Sequence, residues 1–182
     1  MTATHQTFIQ RMIGAAKLDI DTYEEVEHDE TATTQAAAVV AIVAVCSAIG
    51  GAGDGGGGII AGPIAALIGW LIWSGVTYFI GTRLFKGEAT WGELLRTIGF
   101  AQAPGVLMVF AGFGLIGGLA AAASGIWVLI AGIIAIRQAL DVSTGEALIT
   151  AFLGWASYVL VAILIAVLFG VNAAILSSLD FF

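Results

Sequence analysis

Charged side chains are scarce in this sequence. Only 10% of its 182 residues are charged and 59% are hydrophobic, whereas roughly a quarter of the residues in soluble domains are charged. The mean hydropathy is +1.02. This composition excludes an ordinary soluble domain and indicates that lipid surrounds most of the chain.

Cysteine and histidine are also rare, and their scarcity excludes several kinds of site. The single Cys46 lies inside an apolar run, so the chain has no disulfide framework and no spaced set of metal ligands. His28 stands among acidic residues, but no second histidine or cysteine lies at ligand spacing, and a solvated charge run is the favoured interpretation. We expect no catalytic residue, no cofactor and no metal.

Long uncharged runs predict transmembrane helices, because a bilayer core is crossed by about 20 residues of helix. Such runs cover residues 35–53, 55–82, 97–136 and 147–179. The third is too long for one span, and we divide it at the small-residue stretch 117–125. The expected fold class is all-α, a polytopic membrane helix bundle of five transmembrane helices at about 35–52, 59–81, 104–120, 122–139 and 146–170.

The basic residues predict the orientation, because cytoplasmic loops are enriched in lysine and arginine. With five spans, all six basic residues fall on one side of the membrane: Arg11, Lys17, Arg83, Lys86, Arg96 and Arg137. We therefore expect a multi-pass protein of the cell membrane with a cytoplasmic N-terminus and an external C-terminus.

Two cytoplasmic loops carry the pattern of a capping box, in which a hydroxyl and a later carboxylate satisfy backbone donors at a helix start. They pair Thr90 with Glu93 and Ser143 with Glu146. The first predicts an interfacial helix that precedes Pro104, where the third span is expected to begin. The second predicts the start of the fifth span.

Residues 1–34 are predicted to form a cytoplasmic segment, separate from the transmembrane domain 35–182. Phe8, Ile9, Met12 and Ile13 recur at near-helical spacing, which predicts an amphipathic helix that covers the membrane interface or the cytoplasmic ends of the bundle.

Seven acids follow that amphipathic stretch: Asp19, Asp21, Glu24, Glu25, Glu27, Asp29 and Glu30. Anionic headgroups would repel them. The internal cations considered on that side, Arg83, Lys86 and Arg96, are too few to neutralise them. The acids either stay solvated or meet a basic partner surface, and the candidate docking residues are Glu24, Glu25 and Glu27.

Glycines supply two further patterns. Residues 51–56 match the dinucleotide fingerprint, but they join two predicted membrane helices and no acid follows until Glu88, so a turn is favoured over a nucleotide site. Gly58 with Gly62, and Gly114 with Gly118, have the small-xxx-small spacing that lets helices approach closely in lipid. We expect these four to serve helix packing within the bundle, with dimerisation as the alternative.

Three stretches resemble a known family: residues 17–36 at the start of the chain's first apolar run, residues 99–104, and residues 127–147 with their Leu140 to Ala147 joint. Together they are similar to a prokaryotic member of the Yip1 domain family. The resemblance implies five helices, an inside N-terminus and an outside C-terminus. Eukaryotic relatives are associated with Rab-type small GTPases and vesicle formation, a role that is not carried over here.

The function expected is that of a non-enzymatic scaffold or accessory subunit of a membrane protein assembly, or of a protein that organises the bilayer. Apart from Arg137 and Glu146 at their cytoplasmic ends, the five predicted spans contain no acidic or basic residue of the kind that pumps and ion-coupled transporters keep. The alternative is a passive channel or uncoupled transporter for a small solute; a lipid-modifying enzyme is disfavoured. Expected partners are membrane lipids and other integral membrane proteins, with a homo-oligomer as a further alternative and no nucleic acid.

Overall fold

The computed structural model describes residues 6–51 and 61–179, and all regular structure in that part of the chain is helical. The 3-10 helix Ala103–Phe110 lies between the fifth α-helix and the sixth. The α-helices are α1 Phe8–Ala16, α2 Ile20–His28, α3 Ala32–Gly50, α4 Ala61–Leu84, α5 Trp91–Ala101, α6 Gly114–Leu140 and α7 Thr144–Leu179.

Three helices in the described part of the chain are long and apolar enough to cross a membrane: Ala32–Gly50, Gly62–Leu84 and Gly114–Leu140. They begin and end close to the predicted spans 35–52, 59–81 and 122–139, except that the last begins earlier. The all-α class is confirmed together with these three candidate spans.

The predicted division of the third apolar run is wrong. Residues 104–120 and 122–139 were expected to form two helices with a break near residue 121, but α6 runs without interruption from Gly114 to Leu140. The chain turns earlier, at residues 111–113, and Gly114 has a positive φ of 54° that glycine adopts without steric cost. Small residues inside an apolar helix do not break it, since such residues are common in transmembrane helices.

The segment before that turn is also placed differently from the prediction. Helix α5 was expected at the membrane interface, yet Leu94 to Ala101 are all buried. Together with the 3-10 helix, α5 runs beside α3 in the same direction, because Gly99 lies against Ala36 and Gly112 lies against Gly50. The polar face that suggested an interfacial position contains Arg96, and other parts of the chain cover this side chain.

Both predicted capping boxes are present. The Thr90 amide donates to Glu93 Oε2 at 2.8 Å, and the Glu93 amide donates to Thr90 Oγ1 at 3.3 Å. Ser143 and Glu146 make the same pair of bonds, at 2.8 and 3.4 Å. These boxes fix the first turns of α5 and α7.

Candidate functional site: the N-terminal cap

Helices α1 and α2 and their turns, residues 6–31, form a unit that we call the N-terminal cap. The predicted amphipathic helix corresponds to α1. One side of it faces the bundle: Phe8 stacks edge-on against Phe100 with ring centroids 6.5 Å apart, and Met12 packs on the core. Ile9 and Ile13 are 65% and 49% exposed. The cap therefore covers the bundle with one face of α1 and presents two isoleucines outward.

A buried arginine joins the three helices at this end of the chain. Arg11 is 1% exposed. Its Nη2 atom lies 2.8 Å from Glu25 Oε1 and 2.6 Å from Asp29 Oδ2, and its Nη1 atom donates to Gln35 Oε1 at 3.1 Å. Charge-assisted hydrogen bonds of this kind are about twice as strong as neutral ones. Arg11 thus ties α1 to α2 and to the first turn of α3.

The expected set of internal cations was therefore incomplete. Arg83, Lys86 and Arg96 were considered, and Arg11 was not. Arg83 and Lys86 are exposed, and the Arg83 guanidinium lies over the Phe79 ring at 5.8 Å from its centroid. Of the acidic residues, Glu25 and Asp29 are ion-paired within the chain.

Arg96 of α5 holds the last turn of α2. Its Nε atom donates to the carbonyl oxygens of Val26 and Glu27 at 2.9 and 3.0 Å, and its Nη2 atom also donates to Glu27. The last carbonyls of a helix lack intrahelical partners and carry partial negative charge, so a cation stabilises them. A side chain from the middle of the chain therefore anchors the cap.

Two further bonds attach the cap to α6. Trp127 donates from Nε1 to the Ala16 carbonyl at 2.7 Å, at the end of α1. Gln138 donates from Nε2 to Glu24 Oε1 at 3.2 Å. The cap thus lies along the C-terminal half of α6 as well as against α5.

Hydrogen bonding determines the ionisation of Asp29. Its Oδ1 atom accepts from the Thr31 hydroxyl at 2.6 Å and from the Thr31 amide at 3.0 Å, while Oδ2 faces Arg11. These bonds, those from Thr31 first, lower the pKa of Asp29 to about 2. The carboxylate therefore stays charged at neutral pH and links Arg11 to the turn between α2 and α3.

The pKa of Glu27 is shifted in the opposite direction. Its side chain is buried, and burial raises its pKa to about 7. Nearby His28 opposes that shift, whereas the carboxylates of Asp141, Glu93 and Glu24 add to it. Glu27 is the acidic residue of the cap whose charge changes near neutral pH, and it does so where α2 meets the bundle.

The three predicted docking residues lie in different environments. Glu24 is exposed, Glu25 is paired with Arg11, and Glu27 is buried. The outward acidic face of the cap consists instead of four exposed carboxylates, those of Asp19, Asp21, Glu24 and Glu30. The sequence shows the acidic run, but the helical phase of α2 decides which of the carboxylates within that helix face outward, while Asp19 and Glu30 flank it.

The predicted packing glycines can be placed in part. Gly58 lies outside the described residues, as does most of the glycine-rich run 51–56, and Gly62 lines a cavity between α3 and α4. A Cβ atom at Gly114 or Gly118 would meet no heavy atom within 4 Å. The described residues of this chain therefore make no close packing contact with either glycine.

Close approach occurs at other glycines. A Cβ atom on Gly99 would lie 2.7 Å from Ala36 Cβ, and one on Gly112 would lie 2.7 Å from the Gly50 carbonyl oxygen. We call α5 and the 3-10 helix together, residues 91–110, the α5 path. Gly99 brings this path against α3, and Gly112 brings the turn that follows it against the end of α3. Neither has the Gly-x-x-x-Gly spacing used for the prediction, which is why the sequence pattern did not reveal them.

One signal in the sequence could have revealed the cap. Thr7 and Gln10 form a third capping box: the Thr7 amide donates to Gln10 Oε1 at 2.8 Å and the Gln10 amide donates to Thr7 Oγ1 at 3.4 Å. It fixes the start of α1 and hence the phase in which Arg11, Gly14 and Ala15 share the buried face.

Within the described ranges, no group of three or more histidine, cysteine or acidic side chains is arranged to hold a metal ion.

The described residues form only helices as regular structure, with three candidate membrane-spanning helices and a folded cap, and these features define a helical membrane protein. The Yip1 domain matches residues 21–179, which is most of the chain. The chain belongs to the Yip1 domain family. Comparison with curated proteins and with solved structures gives no match.

Proposed function

We propose that this chain is a multi-pass protein of the cell membrane that acts without catalysis, as a scaffold or accessory subunit of a membrane protein assembly. The observation that carries the proposal is the folded cap, which carries four exposed carboxylates and is anchored to a helical membrane bundle. A partner with a basic surface is the complementary ligand for such a face. That the chain is a prokaryotic member of its family stays a prediction.

The contacts at the cap support five membrane crossings. Helix α3 begins at the cap, because Gln35 in its first turn accepts a hydrogen bond from Arg11. Helix α5 contacts the cap near its own start, because Arg96 donates to the Val26 carbonyl. The end of α4 and the end of α6 meet there as well, because the Glu88 amide donates to the Leu140 carbonyl at 3.2 Å. Starts and ends of successive helices thus alternate at the cap. This alternation is expected if α3, α4, the α5 path, α6 and α7 cross the membrane one after another.

The α5 path is long enough to cross the membrane. The eleven residues of α5 rise about 1.5 Å each, and the eight residues of the 3-10 helix rise about 2 Å each. The sum is close to the bilayer core of about 30 Å. The third crossing would then be residues 91–110 instead of 104–120.

The basic residues support a cytoplasmic position for the cap. Arg11, Lys17 and Arg96 belong to the cap or bind it, and Arg137 precedes the Gln138 that contacts Glu24. Cytoplasmic segments are enriched in such residues. The C-terminus, beyond an odd number of crossings, would be external; Phe182 lies outside the described residues.

The candidate spans support a role without ion coupling. The charged residues within the three candidate spans are Arg83 and Arg137, and both lie in the last turns of their helices. In the proposed third crossing, Glu93 and Arg96 lie in the first two turns of α5, at the end that contacts the cap. Ion-coupled transporters and pumps place ionisable groups at membrane depth. A scaffold needs none.

The test is recovery of companions from native membranes. The tagged full chain, extracted in mild detergent, should bring down a stoichiometric membrane protein, and raising the salt concentration should reduce that recovery because exposed charges are screened. The double variant Asp21→Asn, Glu24→Gln should recover less than half as much. Glu88→Gln, an exposed acid outside the cap, is the matched control and should recover as much as the parent.

Equal recovery by the parent and the double variant at every salt concentration would contradict docking through the acidic face. A lone oligomer that conducts a small solute in vesicles would favour the alternative of a passive channel.

A further inference from the structure

Helices α1 and α2 contact α6 at different heights. Trp127, which donates to the Ala16 carbonyl at the end of α1, is the middle residue of α6, thirteen residues from either end. Gln138, which donates to Glu24 of α2, is two residues from the end of α6. The eleven residues between these contacts rise about 16 Å along the helix. Helix α1 therefore lies nearer to the middle of this candidate span than Glu24 of α2 does.

The length of α6 relates this height to the bilayer. Its 27 residues rise about 40 Å, which is about 10 Å more than the thickness of a bilayer core. The polar side chains of its last turn, Arg137 and Gln138, place the extra length at the cap end. Trp127, about 20 Å from Gly114, then lies about 10 Å inside the core boundary on the cap side. Interfacial amphipathic helices bury their apolar face to a similar depth, about 5–10 Å.

The exposed side of α1 has an apolar edge and a polar edge. A helix turns about 100° per residue, so Ile9 and Ile13 share one edge of that side. Gln10 lies on the other edge, beside Gly14. Gly14 packs against Thr22, so α2 lies along the polar edge. The two isoleucines therefore face away from α2, toward the middle of the membrane.

The distribution of charge agrees with this orientation. Residues 6–18 contain no acidic residue, whereas residues 19–30 contain seven. Of the two basic residues in the first range, Arg11 is buried and ion-paired, and Lys17 is exposed at the end of α1. A lysine at this position can keep its ammonium group at the headgroups while its stem covers apolar surface. Anionic headgroups repel carboxylates, so the acidic range belongs on the side of water.

The surface of α6 around Trp127 is apolar and exposed. Ile126, Leu129 and Ile130 are 62%, 57% and 43% exposed, and they belong to a candidate span. Exposed apolar side chains of a membrane-spanning helix contact lipid. Because Trp127 holds α1 at this height, the isoleucines of α1 continue the same lipid-facing surface.

We propose that α1 lies within the lipid of the leaflet on the cap side, with Ile9 and Ile13 against the acyl chains and Lys17 at the headgroups. Helix α2 then carries its acidic face above the membrane, in water. Lipid thus holds the cap in place together with Arg96 and Trp127. The proposal does not depend on the partner of the acidic face.

Fluorescence quenching of the full chain in phosphatidylcholine vesicles tests this contact. Cys46 is the single cysteine, so Cys46→Ala gives a background in which Ile9→Cys or Ile13→Cys carries one bimane label. Ile126→Cys is the matched control in lipid, and Glu24→Cys is the control in water. The two quenchers are phosphatidylcholine with a nitroxide on its acyl chain and iodide in the buffer.

The labels at positions 9 and 13 should be quenched mainly from the lipid. They should lose at least half as much fluorescence to the nitroxide lipid as the label at position 126 loses. Iodide should remove less than half as much of their fluorescence as it removes at position 24. Because Ile9 and Ile13 are exposed and Arg11 is unchanged, both variants should fold as the parent does, and an unchanged Tm checks this.

Two results would overturn the proposal. Iodide quenching at positions 9 and 13 as strong as at position 24, without quenching by the nitroxide lipid, would place this side of α1 in water. Protection from both quenchers, in vesicles that hold one copy of the chain or several, would show that protein covers the isoleucines and lipid does not.

Discussion

The N-terminal cap and the helices α4 and α7 both place polar side chains in buried positions, but the two regions differ in whether these side chains have hydrogen-bond partners. We call the four unpaired atoms of α4 and α7 the α4–α7 seam: Trp73 Nε1, Ser74 Oγ, Thr77 Oγ1 and Thr150 Oγ1. In the cap, Arg11 and Arg96 have carboxylate or carbonyl partners. In the seam, Trp73, Thr77 and their neighbours have none. The cap arrangement lowers the free energy of the fold, whereas the seam arrangement keeps hydrogen-bonding capacity available.

This difference separates a paired polar network from a set of unpaired polar groups. Removing one partner of a satisfied buried pair leaves the other group unpaired and costs stability, whereas removing an unpaired group costs little. The loss in free energy of unfolding that a substitution causes should therefore be large in the cap and close to zero in the seam.

The largest effect is expected at Arg11. Arg11→Met leaves Glu25 and Asp29 beside an apolar side chain and should lower the free energy of unfolding by about 3 kcal/mol, the lower end of the range for breaking a buried ion pair, since both carboxylates are partly exposed. Denaturant unfolding in detergent measures the change. Arg83→Met, at an exposed arginine, is the control and should change it by less than about 0.5 kcal/mol. Equal effects would contradict the role of Arg11.

The second effect depends on pH. Glu27 has a pKa near 7 in the folded chain, raised from 4.5, so its contribution to stability is fully present below pH 4.5 and is lost as the pH rises through 7. At about 1.4 kcal/mol per pKa unit, the loss is at most about 3 kcal/mol. Unfolding of the parent and of Glu27→Gln should be compared between pH 4.5 and 8, with Glu30→Gln as the exposed control.

Glu27→Gln should remove most of this pH dependence, because a neutral amide does not titrate. A parent whose stability rises across the same interval, or a variant with an unchanged profile, would show that Glu27 is not the group responsible.

A third effect concerns helix contact. Gly99→Leu must displace Ala36, because a Cβ atom alone would lie 2.7 Å from Ala36 Cβ, and overpacking of this kind costs about 1–3 kcal/mol. Gly118→Leu meets open space within the chain and should leave monomer stability unchanged. If Gly118→Leu instead lowers the stability as much as Gly99→Leu does, α6 makes a contact between copies of the chain. Sedimentation in detergent would then show that the variant no longer forms the oligomer.

The smallest effect sharpens the contrast between the two regions. Thr77→Val removes a buried hydroxyl that has no partner, so the free energy of unfolding should change by less than about 0.5 kcal/mol or rise slightly. Thr22→Val in the cap, where the hydroxyl donates to Asp19 Oδ2 at 2.8 Å, should lose about 1 kcal/mol. Equal losses at the two positions would remove the distinction.

Local patterns predicted the local structure well. The capping boxes at Thr90 and Ser143 correctly fixed the starts of α5 and α7, and the first two apolar runs correctly indicated α3 and α4. These features depend on neighbouring residues, which the sequence shows directly.

Contacts between distant residues were not predictable in the same way. Arg96 binds carbonyls about seventy residues away, and the uninterrupted α6 depends on lipid and neighbouring helices, which tolerate its glycines. The burial of Arg11 follows from the phase of α1 relative to α2, which an acidic run alone does not specify. Which polar atoms of the seam stay unpaired is likewise decided by the packing of α4 on α7.

Hydrogen exchange of α2 amides tests most directly the claim that the acidic segment is an integral part of the fold. In the full chain in detergent or nanodiscs, residues 20–28 should be protected as strongly as the buried helix α5, and Arg11→Met should reduce protection in α2 while α5 keeps its own. Exchange of residues 20–28 at the rate of an unfolded peptide, with α5 still protected, would contradict the account.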